Sequence, residues 1–321
     1  MSSWDGDDDL AAAAGRILGS RHPVAAVAVV TSSGSMVARH GVPEDAGFEI
    51  GSISKAFTGM LFCEAREQGL VSGSTTLGEL LPLDGHGDIS SVALQSLSVH
   101  RSGLPSLPPA MQPWRRTWRL WRHGENPYGD TLAELLEQVR GISVGRSRSA
   151  YSNLGFQLLG HAVAAASGLS YEALLRERFG AAYRVPATEA DLVPTDILGT
   201  TAHGRPRAAW VGEALAPAGG IRATIGTMRG FTATVLAGTA PGMAALDPVE
   251  SFQGIMRIGA GWITVTRAGR PVAWHNGGTG GFRTWIGVDR EAGAGAVVLS
   301  ATERSVDSVG FRLLKEFAAR R

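Results

Sequence analysis

The chain is predicted to be an α/β protein whose single antiparallel sheet is assembled from both ends of the sequence, flanked by helices, with a helical region between. Three observations carry this. Two strand-like segments stand near the N-terminus, three or four more stand beyond residue 260, and the middle reads mostly with helical period. The 321 residues, 44% hydrophobic and 18% charged, suffice for two domains or for one large body with an insertion. The predicted division puts residues 1–51 and 210–321 in the sheet region and residues 52–209 in the helical region.

Taken in order, a short helix is expected over residues 10–18. Residues 24–31, VAAVAVVT, form a buried-strand candidate, and 35–41 are its hairpin partner across a Ser-Ser-Gly turn. The period changes at Ser52, where Ile53, Phe57, Met60 and Leu61 fall on one helical face and Gly69 is the stop signal. Further helices are predicted over 131–139, 153–167, 171–179 and 224–236, the last following a Pro-Ala-Gly-Gly turn at 217–220. Strands return at 261–266, 271–276, 282–289 and 294–300, and a helix over 306–319 closes the chain.

Composition excludes several classes. The net charge of +1 argues against a bulk nucleic-acid binder. Cys63 is the only cysteine, so an internal disulfide and a thiolate zinc site are both unavailable. The first ten residues are acidic where a secretory signal would be basic, and no run of about 18 apolar residues occurs. A cytoplasmic protein without a membrane partner is the expectation. None of the eight histidines forms a His-x-x-x-His pair, and no lysine follows a glycine as a Walker loop requires, so neither metal nor cofactor is expected. Oligomeric state is left open.

Lysine occurs only at Lys55 and Lys315 against a background of arginine. Lys55 stands three residues after Ser52, so the two side chains share a helix face and the hydroxyl gains a basic neighbour. Taken alone, Ser-x-x-Lys also reads as an N-cap serine with a solvated lysine. Two other segments change the weighing. Tyr151-Ser152-Asn153 precedes an apolar helix, with a phenol and a carboxamide able to reach one cleft. His275-Asn276-Gly277-Gly278 follows a strand, where glycines admit close approach of a substrate and leave the Gly278 N–H available to an oxyanion.

In this order the three segments resemble the motifs of the serine β-lactamase and penicillin-binding-protein superfamily. The likeness is to the class C β-lactamase-like branch, with its esterases, D-amino-acid peptidases and amidases, and transacylases. It extends to FEIGSISKAFTG at 48–59, SVHRSGLP at 98–105, YSNLGFQLLG at 151–160, PAGGIRAT at 217–224 and HNGGTGGF at 275–282. The resemblance implies a β-lactamase/transpeptidase-like fold with the active site where the sheet and helical regions meet. It further implies Ser52 as acylated nucleophile, Lys55 as its base partner, Tyr151 as proton shuttle, Asn153 as an orienter of the substrate carbonyl and His275 as a group tuning the tyrosine. The N–H groups of Ser52 and Gly278 would form the oxyanion hole, with Gly277 and Asn276 beside it. His275 stands where true class C β-lactamases carry a lysine that helps bind the β-lactam carboxylate, which puts antibiotic hydrolysis in doubt.

The substrate expected is a small-molecule ester or amide, or a peptide. The acyl group goes to water in a hydrolase, to an amine or alcohol in a transacylase of natural-product biosynthesis, and nowhere in an acyl-binding sensor. A lipase-like Gly-x-Ser-x-Gly around Ser143 follows a helical pattern and reads as surface loop. Cys63 reads as a small buried side chain, and His100 as a structural residue holding the Ser102-Gly103 turn. The segment PWRRTWRLWRH places Trp114, Trp118 and Trp121 at i, i+4 and i+7, with Arg115, Arg119 and Arg122 alongside. Two readings stand: an amphipathic helix with its indoles packed inward, or part of a substrate rim suited to a flat or anionic group.

Overall fold

The computed structural model describes residues 4–109 and 112–319, apart from the side chains of residues 113, 116, 117 and 121. The expectation for the Trp121 side chain therefore lies outside the described residues. After the short strand β1 (Asp5–Gly6), Asp7 caps helix α1 (Asp8–Leu18) by accepting the Leu10 N–H at 3.3 Å, and Asp8 and Asp9 sit where the helix dipole favours negative charge. The predicted hairpin follows as β2 (Ala25–Thr31) and β3 (Gly34–His40), and β4 (Phe48–Glu49) leads to the nucleophile turn.

The helical middle opens with α2 (Ser54–Glu67), which is buried over most of its length. Short helices α3 (Leu77–Leu80) and α4 (Leu94–Ser98) come next, then α5 (Pro113–His123), α6 (Leu132–Gln138), α7 (Asn153–Ala166) and α8 (Tyr171–Phe179). The predicted Pro-Ala-Gly-Gly turn is instead a single helical turn, α9 (Ala216–Gly219), since Pro217 falls at a first-turn position that needs no N–H donor. Strand β5 (Arg222–Ala223) and helix α10 (Ile225–Ala237) return the chain to the sheet. The chain then runs through β6 (Glu250–Phe252), β7 (Met256–Ile258), β8 (Ile263–Arg267), β9 (Arg270–Gly278), β10 (Arg283–Asp289), β11 (Ala294–Ser300) and α11 (Asp307–Ala318).

Nine strands form one antiparallel sheet in the order β1-β3-β2-β11-β10-β9-β8-β7-β6. The C-terminal part contributes six strands, not the three or four expected. The extra ones, β6 and β7, are three residues each and too short to show a period of two. Val27 pairs with Val298 at the junction of the two chain ends. Alternate residues of β2 serve two cores: Val27 and Val29 pack with α1 and α11, and Ala26 and Ala28 with the α2 and α10 side. Burial on both faces explains why β2 is apolar throughout rather than alternating. On one face Gly310 of α11 lies directly on the Trp285 ring, where a Cβ would come within 2.1 Å of it.

A two-stranded sheet pairs β4, which precedes the turn that carries Ser52, with β5, which follows it in sequence. Its ladder is reinforced by Arg222, which is fully buried and pairs with Glu49 at 2.9 Å and with Asp196 at 3.2 Å. Arg184 also pairs with Asp196. Removing one member of such a network strands buried charge. Arg222→Met is therefore expected to lower stability by about 3–5 kcal/mol in urea denaturation. A loss below about 1 kcal/mol would mean that Glu49 and Asp196 find other partners.

Candidate active site

Ser52 lies on a 3₁₀ turn, Gly51–Ile53, that feeds directly into α2, so the α-helix proper starts two residues later than the periodicity suggested. Gly51 has φ +55°, and a Cβ there would stand 2.6 Å from the Gly278 nitrogen. Gly277 has the reciprocal constraint, since its Cβ would meet the Ile50 carbonyl oxygen at 2.0 Å. Two glycines thus let the nucleophile turn press against β9 backbone to backbone. The Ile50 carbonyl is fixed further by the Thr284 hydroxyl at 2.7 Å. Strand β8 pairs with β9 only as far as Trp274, so residues 275–278 have β10 on one side and this turn on the other.

Lys55 is 0% exposed, and its Nζ lies 3.1 Å from Ser52 Oγ. It also donates to the Ala218 carbonyl of α9. Its other neighbours are rings, Tyr151 at 5.0 Å and Phe156 at 6.0 Å from the centroids. Among the described residues it pairs with no carboxylate, and burial holds the ammonium pKa well below its ordinary value.

Tyr151 stands on the loop before α7, partly open at the surface but with its hydroxyl enclosed and hydrogen-bonded to the Ser52 side chain. Burial raises its pKa, so the phenol keeps its proton at neutral pH. The loop is braced twice by His100. The His100 carbonyl accepts the Ala150 N–H at 2.9 Å, and its Nδ1 accepts the Ser152 N–H at 3.1 Å. The ring is therefore neutral, and burial followed by the nearby Lys55 lowers its pKa. His100 has φ +57°, uncommon for a residue with a side chain, and its ring packs 4.5 Å from that of Tyr151. The sequence tied it to the Ser102-Gly103 turn, whereas these hydrogen bonds tie it to Tyr151. Ser152 completes the brace: its hydroxyl donates to the Pro105 carbonyl at 2.7 Å and caps α7 by accepting the Gly155 N–H at 2.9 Å.

His275 is buried on β9, its Nδ1–H donating to the Asn276 carbonyl at 2.6 Å. Burial, then Lys55, pushes its pKa down to about 3, so it is uncharged. Asn276 goes elsewhere. Successive strand residues face opposite ways, and its amide donates to Asp307 at the start of α11 at 3.0 Å, so its side chain does not join the others. Asn153 extends its amide toward the Tyr128 hydroxyl at 3.5 Å. Tyr128 packs on Trp210 at 4.9 Å between centroids, and the Trp210 indole nitrogen lies against Gly280. These two aromatic rings, beside Asn153 and Gly280, were missed by the sequence reading. Tyr128 sits in the polar turn Asn-Pro-Tyr-Gly, where an aromatic residue outside any period was the available signal.

The α5 expectation needs correction. Trp114 is 73% and Trp118 59% exposed, so these indoles do not pack inward. Leu120 faces the body, lying against Gly280, and its carbonyl accepts from Arg207 at 2.6 Å. At 3.6 residues per turn Leu120 stands roughly 200° round from Trp118. Arg115, Arg119 and Arg122 are also exposed, Arg115 bonding to Gln112 at 2.9 Å and Arg119 lying 3.8 Å from Glu125. Ser143 lies in an irregular loop between α6 and α7, without the strand-to-helix turn of a nucleophile elbow. Cys63 is buried on α2, which pushes its thiol up to about 11. Among the described residues no group of His, Cys, Asp or Glu could hold a metal, and no single helix is long and apolar enough to cross a membrane.

A sequence profile of the family described as Beta-lactamase matches residues 10–319. The chain belongs to the Beta-lactamase family. Solved structures agree on the beta-lactamase fold. A class C beta-lactamase superposes with TM-score 0.79 at 16% identity, covering 96% of each chain. The beta-lactamase/D-alanine carboxypeptidase from Pseudomonas syringae gives 0.78 at 14%, covering 97% of this chain and 98% of that one. D-alanine carboxypeptidase AmpC from Burkholderia cenocepacia gives 0.77 at 20%, covering 96% and 99%. Among curated proteins, Beta-lactamase-like protein 2 of Dictyostelium discoideum is 27% identical over 139 residues, 42% of this chain and 24% of that protein. The chain thus spans about a quarter of that relative's length.

The geometry of this beta-lactamase-family site makes two predictions. Gly51→Ala adds a Cβ against β9 and forces a left-handed alanine, costing about 1–2 kcal/mol of backbone energy. Labelling by a fluorophosphonate should slow at least tenfold, and an unchanged rate would show that the turn can shift freely. The second concerns acid. His22 and His161 have pKa values lowered to about 4, and His275 to about 3, chiefly by burial. Each binds a proton in the unfolded chain near pH 6.5 but not in the fold, so this contribution to stability is complete above that pH and is lost as pH falls toward 4 and 3. Melting temperature should decline over that window, and His22→Asn should flatten the decline. A flat wild-type profile would refute the assignment.

Proposed function

We propose that the protein is a serine acyl hydrolase that cleaves an ester or amide of a small molecule through an acyl-Ser52 intermediate. The observation that carries this reading is a fully buried lysine, without a carboxylate, 3.1 Å from a serine hydroxyl. Desolvation favours the neutral amine, which keeps an N–H for the Ala218 carbonyl and turns its lone pair to the Ser52 proton. As Ser52 Oγ bonds to the substrate carbonyl carbon, that proton passes to Lys55. The oxyanion would be received by the N–H groups of Ser52 and Gly278, a pairing that the close approach of Gly51 to Gly278 supports. Tyr151, held as the neutral phenol beside Ser52, relays a proton to the leaving group as the carbonyl–leaving-group bond breaks. Asn153 and Tyr128 flank the substrate on the α7 side. Water then adds to the acyl carbon, the Oγ–carbon bond breaks, and Ser52 regains its proton.

His275 bears on substrate choice. A neutral imidazole whose Nδ1–H is already engaged supplies no positive charge to a β-lactam carboxylate. This supports an open-chain ester or amide substrate over a β-lactam.

Ser52→Ala is expected to abolish fluorophosphonate labelling and to lower ester turnover about 10³-fold or more. Labelling that survives would end the proposal. Lys55→Arg should be nearly as damaging as Lys55→Ala, each costing about 10²–10⁴ in kcat, because guanidinium keeps its proton. In the wild type kcat/KM should rise with pH through the lowered Lys55 pKa and level off well below the usual lysine range, a limb absent from both variants. Tyr151→Phe should reduce kcat with a modest change in KM. Intact mass after incubation with an acyl donor, with and without an amine acceptor, separates hydrolysis from acyl transfer and from a stable acyl-serine.

A further inference from the structure

A cavity of about 840 Å³ abuts Tyr151, between the loop at 103–109 and the irregular segment at 138–150. Its walls are fixed. The Gly145 N–H donates to the Gly103 carbonyl at 3.0 Å, and the Ser147 hydroxyl to the Arg101 carbonyl at 2.9 Å. Gly103, at φ +77°, has no room for a Cβ, which would stand 2.2 Å from the Gly145 carbonyl oxygen. Leu104, Pro105, Pro109 and Ile142 give apolar lining. The polar lining has one sign, with Arg140, Arg146 and Arg148 and no aspartate or glutamate. Arg140 is committed to Glu137, with contacts at 2.8 and 3.2 Å. Arg146 and Arg148 have no carboxylate within ion-pair distance among the described residues.

We propose that this cavity is a specificity pocket for one arm of the substrate, apolar where it leaves the scissile carbonyl and ending in an anion held by Arg146 and Arg148. The inference rests on the acyl-serine reading and deepens it by naming the substrate class as acyl donors with a terminal carboxylate or phosphate. Guanidinium forks suit either group, since both present paired oxygens. Lining without acid means that the anion meets no repulsion inside, and because the guanidinium groups are exposed their contact with it is screened by salt. Both side chains are exposed, so their removal tests recognition rather than folding.

The test compares two p-nitrophenyl esters of equal chain length, the hexanoate and the adipate monoester, on the wild type and on Arg146→Gln/Arg148→Gln. The adipate-over-hexanoate ratio of kcat/KM should fall at least tenfold in the double variant, chiefly through KM. Raising salt should shrink the wild-type preference toward that of the variant. Binding is read separately by calorimetry on Ser52→Ala, which needs no turnover. Adipate should bind and lose at least tenfold in affinity when both arginines are also replaced, and tighter binding of 6-phosphooxyhexanoate would identify phosphate as the preferred anion. A ratio unchanged in the double variant, or no adipate binding to Ser52→Ala, overturns the pocket. Failure of the acyl-serine reading has a different signature, hexanoate turnover that persists in Ser52→Ala.

Discussion

An unpaired lysine ammonium in the interior costs several kcal/mol, and most of the site can be read as the consequence of keeping Lys55 there without a counter-charge. Its surroundings are the rings of Tyr151 and Phe156 and the carbonyl of Ala218, which can accept a hydrogen bond but cannot neutralise a charge. The amine form is the one this environment tolerates. His100 and His275 are uncharged for the same reason, and a proton on either would add repulsion to a place that already rejects one. The site is thus a small region of low proton affinity set inside a helix–sheet junction, where local stability is given up for reactivity.

Holding that region in place falls to backbone contacts more than to side chains. Gly51 against Gly278 and Gly277 against Ile50 leave the nucleophile turn no room to move laterally, while Thr284 and the Arg222 network help secure it. On the opposite wall, His100 and Ser152 grip the Tyr151 loop through main-chain groups. Reactive side chains are thereby aimed by the main chain, which has fewer degrees of freedom than packing would.

The long elements were legible because their periods are long enough to count. Helices α7 and α8 and strands β10 and β11 lie within a residue or so of where pattern and cap residues put them. Strands β4 to β7 were invisible because two or three residues carry no period; β4 and β5 pair across most of the chain, while β6 and β7 form a short local hairpin. Among the candidate site residues, the side chains of Ser52, Lys55 and Tyr151 lie together. That of Asn276 does not join them, since a motif names residues without saying which face of a strand each occupies. The exposed indoles of Trp114 and Trp118 show the converse difficulty: helical spacing was correct, but an amphipathic pattern does not say which face of α5 meets the body, and Leu120 is among the residues that do. Tyr128 and the arginine-lined cavity belong to loops, whose geometry is fixed by hydrogen bonds to distant backbone.

The place of β11 in the sheet bears on how the molecule is made. It lies between β2 and β10, so the β2–β3 hairpin has one edge unpaired until residues 294–300 have been made. Its apolar residues need both cores, and both cores draw on helices synthesised last or in the middle. Until then the open edge of β2 presents unpaired backbone groups, a feature that favours aggregation of partly folded chains. Fusing or circularly permuting the chain so that β11 is translated next to β2 would shorten that interval and should favour soluble expression without touching a residue of the site.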